Sequence, residues 1–246
     1  MLNLLLAGSY FEYYLMGIIV VPGILFAVYA QTRVTSTFSK CNIIYTQSGK
    51  TGAEVARMIL DMAGLQDVNI QAKGENMSDY YSHKEKLISL SHNSYNNKTV
   101  AAIGVAMHEV GHALQYKSHY FPIKLRSFAI ACSNISSKLL WPLVVIGFIF
   151  GFGSASGAIG SYFVWAGIIF FGLSVLVNLV TLPVEYNASR RATQILESSG
   201  ILTTEENEEC RKMLNAAALT YLASFVISIL EFLRFFLVYV LRRDRD

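Results

Sequence analysis

Polar and apolar positions divide the chain into blocks. The first apolar block runs from Tyr13 to Thr32, twenty residues without a charged side chain, between Glu12 and Arg33. At about 1.5 Å per residue a helix of that length spans the roughly 30 Å hydrocarbon core of a bilayer. Val28-Tyr29-Ala30 resembles a cleavage site, but no positive charge precedes the block, as a cleaved signal peptide requires. A retained anchor helix is expected. A polar region follows, over 33–138, with Ile43-Ile-Tyr45, Val68-Asn-Ile-Gln71 and Leu87-Ile-Ser-Leu90 as strand candidates. Within it, Thr51-Gly-Ala-Glu54 fits a capping box. The helix it opens carries Val55, Met58, Ile59 and Met62 at amphipathic spacing and stops at Gly64.

From Leu139 to Val184 no residue is charged. That stretch is too long for one crossing and suits two, near Leu139–Phe152 and Ile159–Leu182, separated by the turn-rich Gly151–Gly160. Pro183 is expected to start another helix, since proline is tolerated in a first turn, and helices fill 183–215. A last apolar run, Ala216 to Leu241, is interrupted by Glu231 and Arg234, which can pair three apart on a helix. The pattern predicts a mainly α, integral membrane helical protein, one domain over 1–246. A small α+β subdomain on the cytosolic side would carry the chemistry.

Composition agrees: 53% of residues are hydrophobic and only 15% charged. The net charge of +3 is small, and no run of basic residues interleaved with aromatics argues for nucleic acid. Cys41, Cys132 and Cys210 are odd in number and lack Cys-x-x-Cys spacing, so neither a disulfide framework nor a cysteine metal site is expected. Lys and Arg are absent from the first twelve residues and from the hairpin turn. They flank the polar region (Arg33, Lys40, Lys117, Lys124, Arg126, Lys138) and follow the hairpin (Arg190, Arg191). The positive-inside rule then places the polar region on the cytoplasmic face of the cell membrane. The tail Arg242-Arg-Asp-Arg245 opposes a fully crossing last helix, and sequence leaves that crossing open.

Candidate chemistry centres on His108-Glu109-Val110-Gly111-His112, within a run from Thr99 to Gln115 that reads as one helix. Side chains four apart share a helix face, with Cβ atoms about 6 Å apart, so both imidazoles can reach one ion. Glu109, one position on, can touch the attacking water without being a ligand. Chance would supply only about 0.005 such matches in this composition; the bland alternative is a surface helix with two incidental histidines. Small residues Ala102, Ala106, Gly111 and Ala113 would let neighbours approach the helix closely. Ser48-Gly-Lys-Thr51 is not a phosphate loop, because Ile44 occupies the first glycine position.

Catalytic zinc uses three protein ligands and one open position. Glu185, the first charge after the hairpin, is the best third ligand; the alternative is a carboxylate favoured simply by a helix N-terminus. Asn187 and Ser189 are placed to orient a ligand, whereas Arg190 and Arg191 suit anchors at the membrane edge. His92, Tyr95, Tyr186 and Tyr221 are candidates for stabilising an oxyanion, and His83 and His119 read as solvated histidines.

His108-Glu-Val-Gly-His-Ala-Leu-Gln115, followed by Leu182-Pro-Val-Glu-Tyr-Asn-Ala-Ser-Arg-Arg-Ala192, resembles the bacterial neutral zinc metallopeptidases of the YugP type. Tyr29-Ala-Gln-Thr-Arg33, Thr51-Gly-Ala-Glu-Val-Ala-Arg57 and Ala217-Ala-Leu-Thr-Tyr221 agree, so the resemblance covers nearly the whole chain. It departs at Asp79-Tyr-Tyr-Ser-His83 and at Asn187, where an Asp is frequent. The resemblance implies a membrane zinc peptidase acting on protein or peptide substrates, with Zn2+ held by His108, His112 and Glu185 and with Glu109 catalytic. Glu109 would act as general base toward water. The main alternative is a non-catalytic zinc-binding membrane adaptor. An intramembrane protease is disfavoured by the polar flanks Asn96-Asn-Lys-Thr99 and Gln115-Tyr-Lys117, and a transporter by the near absence of polar residues between Leu139 and Leu182.

Overall fold

The computed structural model describes residues 17–74, 79–134 and 158–243; the expected crossing at Leu139–Phe152 lies outside them. After a short 3-10 turn, Ile18–Val20, come helix α1 (Val21–Asn42) and helix α2 (Gly52–Met62). Strands β1 (Asn69–Lys73), β2 (Tyr80–Ser82) and β3 (Leu87–Ser91) follow, then α3 (His92–Asn96) and α4 (Val100–Lys117). Helix α5 covers 121–134, and α6 (Ala158–Ser199) and α7 (Thr204–Arg243) complete the chain. The contacts divide into two units, one of Met1–Val28, Leu125–Thr181 and Leu222–Asp246, the other of Tyr29–Lys124 and Leu182–Tyr221.

The first unit turns apolar side chains outward: Ile24, Leu25, Val28, Ile169, Leu176 and Ile229 are all exposed, as lipid-facing residues are. Two helical stretches among the described residues, Ile18–Asn42 and Thr204–Arg234, are long and apolar enough to cross a membrane. Gly23 of α1 lies against α7, where a Cβ would come within 2.9 Å of Leu230 Cδ1. Glu231 and Arg234 form the expected ion pair, at 2.8 Å.

The second unit is built around α4, which is apolar on every side and accordingly buried. Thr99 caps it, its hydroxyl accepting from the Ala102 amide at 3.3 Å. Close packing depends on glycine at two places. A Cβ on Gly52 would fall 2.1 Å from the Ser94 carbonyl oxygen and 2.7 Å from that of Ala102. One on Gly111 would fall 2.5 Å from the carbonyl oxygen of Ala188, so α4 and α6 touch backbone to backbone there. The Thr51 capping box is present, with Glu54 N donating to Thr51 Oγ1 at 3.2 Å and Thr51 N donating to Glu54 Oε2 at 2.7 Å. The sheet is mixed and ordered β1-β3-β2, β1 parallel and β2 antiparallel to β3. Ile88 and Leu90 of β3 enter the core with Val55, Ile59, Ile103 and Met107.

Three expectations change. Helix α1 runs ten residues beyond Thr32, because the end of an apolar block does not end a helix. Its threonines are accommodated by bonding backward, Thr35 to Gln31 O and Thr37 to Arg33 O. Pro183 lies inside α6 rather than starting a helix; an interior proline removes one backbone hydrogen bond, and here Val180, Thr181, Val184 and Glu185 on both sides are buried in helical positions. Ile43-Ile-Tyr45 yields one isolated bridge, Tyr45 to Thr99, since Val100 N bonds Ile44 O and Thr46 N bonds Lys98 O with no further pairing partner in line.

Candidate metal centre

Helical spacing puts His108 and His112 one turn apart on α4, with ring centroids 4.8 Å apart. The contact at Gly111 brings α6 close enough for Glu185 to reach both. Glu185 Oε2 lies 3.1 Å from His108 Nε2 and 3.5 Å from His112 Nε2. Among the described residues these three form a group whose ligand atoms all lie within 4.8 Å of one another. Zinc bonded at about 2.1 Å in a tetrahedral set holds its ligands roughly 3.4 Å apart, so the donor set fits that ion in type and spacing.

The far nitrogens of both rings are held as well. His108 Nδ1 is 3.1 Å from Ser189 Oγ, and His112 Nδ1 is 2.9 Å from Gln115 Oε1. Gln115 is fully buried, and its amide orientation follows from its neighbours. Its Nε2 donates to the carbonyl of Val184 at 2.7 Å and to Asn187 Oδ1 at 3.1 Å. Asn187 Oδ1 also accepts from Arg191 Nε at 2.8 Å, and a guanidinium can only donate. Read back from the arginine, the Gln115 oxygen must face His112 and a proton sits on His112 Nδ1, which leaves Nε2 as the nitrogen turned to Glu185. Such outer partners fix tautomer and ring orientation in metal sites.

Electrostatics follow from burial and proximity. Burial opposes ionisation of Glu185, but hydrogen bonds from His108 and His112, together with their charge, hold its carboxyl well below the ordinary range. Burial likewise opposes charge on His112, and the bond to Glu185 with the charges of Glu109 and Glu185 outweighs it and lifts the imidazole. Burial raises Glu109, offset in part by the neighbouring histidines.

Of the expected residues, His108, His112, Glu185 and Ser189 meet directly, and Glu109 sits beside them on α4. Asn187 bonds Gln115 rather than a ligand. Arg191 donates to Asn187 and lies 5.8 Å from the Tyr120 ring centre. His83 is exposed, as expected, and stacks on Tyr116 with centroids 4.0 Å apart. Among the oxyanion candidates, Tyr221 lines a cavity with His108, while His92 bonds Asn96 on α3. Gln115 had no role in the sequence reading. Its signal was present all the same: a lone amide three residues after His112, on the same face of an otherwise apolar helix.

Comparison with known proteins agrees with this geometry. A family model described as "putative neutral zinc metallopeptidase" matches residues 16–240. The chain is 39% identical over 218 residues to a Bacillus subtilis (strain 168) protein named "Putative membrane protease YugP", covering 89% of this chain and 93% of that one. No solved structure matches. With a match over nearly its whole length and a donor set suited to the metal, the chain belongs to the neutral zinc metallopeptidase family, whose cofactor is Zn2+.

Proposed function

We propose that this chain is a multi-pass membrane metallopeptidase, a single catalytic domain with its site on the cytoplasmic face. In this reading His108, His112 and Glu185 hold zinc and Glu109 is the general base. The observation that carries the proposal is the convergence of the three donors beside a buried Glu109. Bound zinc supplies Lewis acidity, lowering the pKa of water and polarising a carbonyl. Glu109 takes a proton from the attacking water at its carboxylate as oxygen bonds to the scissile carbonyl carbon. As the C–N bond breaks, Glu109 returns that proton to the leaving amine. Ser189 and Gln115 keep the two imidazoles facing Glu185. The outward apolar side chains of the first unit and the two long apolar helical stretches support the membrane assignment.

Zinc content and peptide cleavage, measured on wild type, Glu109→Gln and Glu185→Ala, test the proposal. The expected result is one zinc per chain without cleavage for Glu109→Gln, and loss of metal for Glu185→Ala. Wild type that binds zinc, cleaves nothing and is indistinguishable from Glu109→Gln would establish a zinc-binding adaptor instead. Retained zinc in Glu185→Ala would remove Glu185 from the ligand set.

A further inference from the structure

On the His108 side of α4 lies a cavity of about 150 Å³ walled by Val34, Phe38, Val105, Met213, Ala217 and Tyr221, with His108 and Ser189 at one side. Its lining is almost wholly apolar. The polar atoms of its His108 wall face each other, Nδ1 to Ser189 Oγ at 3.1 Å, leaving that edge little to offer a polar guest. A hollow of this size accepts a group about as large as benzene. Ser189 also lines a larger cleft with Tyr120, Tyr186, Asn187 and Arg190, so the small apolar hollow adjoins a surface of mixed character that offers both apolar area and hydrogen-bonding side chains to a peptide.

We infer that this cavity is the specificity pocket of the peptidase: it takes one apolar side chain of the substrate, of leucine, methionine or phenylalanine size, next to the bond that is cut. The inference rests on the peptidase reading above and names the substrate class of the same site. Position ties the pocket to the chemistry, because His108 presents Nε2 to Glu185 at 3.1 Å while its ring walls the cavity. A side chain seated there holds its own backbone within about one residue of the ligands. Ala217 on α7 and Phe38 on α1 both wall the cavity, Phe38 at 39% exposure. A polar or charged side chain would lose its water and gain no partner, a cost of roughly 1–3 kcal/mol or more.

The test uses the full-length, zinc-loaded protein in detergent and a mixed peptide library, with cleavage sites read by mass spectrometry. Kd values of matched leucine and alanine peptides are measured on Glu109→Gln. Wild type is expected to cut beside large apolar residues. Ala217→Leu fills the cavity and should lower the leucine-over-alanine ratio of kcat/KM by roughly 10- to 100-fold, with zinc content retained. Phe38→Ala enlarges it and should move preference toward bulkier aromatic residues. The leucine-peptide Kd on Glu109→Gln should weaken in parallel when Ala217→Leu is added. Cleavage without apolar bias, a bias that survives both substitutions, or a Kd that Ala217→Leu leaves unchanged would overturn the pocket and leave the peptidase standing. If wild type cuts no library peptide, the peptidase reading fails and the pocket fails with it.

Discussion

His112 and His108 lie one turn apart on α4 and face the same carboxylate, yet their surroundings differ. His112 backs onto a buried chain of donors and acceptors, from Gln115 through Asn187 to Arg191, with a branch to the carbonyl of Val184. His108 has a single hydroxyl, that of Ser189, and beyond it the apolar cavity. One flank is satisfied by protein throughout and has little freedom to adjust. The other keeps room beside a ligand. A hydrolytic site needs both: fixed ligands, and an open side where a substrate can lie. The contrast teaches that the two halves of a symmetric-looking motif can carry different duties, set by what packs behind each ring.

The largest effect should come from breaking the contact that both flanks share. Gly111→Val places atoms where the Ala188 backbone already lies, so α4 and α6 must separate and Glu185 withdraws from both histidines. We expect loss of stoichiometric zinc and a stability loss of at least about 1–3 kcal/mol, read by metal analysis and by chemical denaturation. Next comes the His112 flank alone. Gln115→Leu removes the acceptor for Nδ1 and the side-chain donor to the Val184 carbonyl and Asn187. Zinc affinity should fall roughly 10- to 100-fold in chelator competition, with stability lowered by about 1–3 kcal/mol.

Ser189→Ala tests the other flank. It removes one partner of His108 at the edge of a cavity, so affinity for zinc should fall by no more than about tenfold while the Tm changes little. A loss as large as that of Gln115→Leu would show that the flanks are equivalent. The smallest expected effect is that of Arg191→Lys, which keeps a charge but gives up the planar donor that orients Asn187. A few-fold weakening of zinc binding, about 1 kcal/mol or less, is the expected outcome. Pairing it with Gln115→Leu should add nothing further, because both act through the same chain.

Much of this site was legible because helical spacing is local. The four-residue spacing of His108 and His112 dictates a shared face, and Thr51 with Glu54 dictates a cap, whatever the rest of the molecule does. The proposed third ligand required more. Glu185 stood out only as the first charge after a long apolar stretch, and its meeting with α4 depends on Gly111 lying against Ala188, a contact between residues far apart in sequence. Element ends were less readable, since hydrophobic patterning reports burial or lipid exposure and not hydrogen bonding. Thus α1 continues past Thr32 and α6 continues through Pro183.

By itself, then, the amino-acid order determined the apolar blocks, the caps, the pair of histidines with Glu109 beside them, and the small residues that permit close packing, because each is a matter of composition or of neighbours within one turn. Tertiary structure alone decided what stands behind each ligand. Gln115 acquires its meaning from Val184 and Asn187, Arg191 turns inward to that chain, and the cavity beside His108 exists only where α1, α4, α6 and α7 come together. Hydrogen-bond direction and empty volume are properties of several segments at once, and no single stretch of chain encodes them.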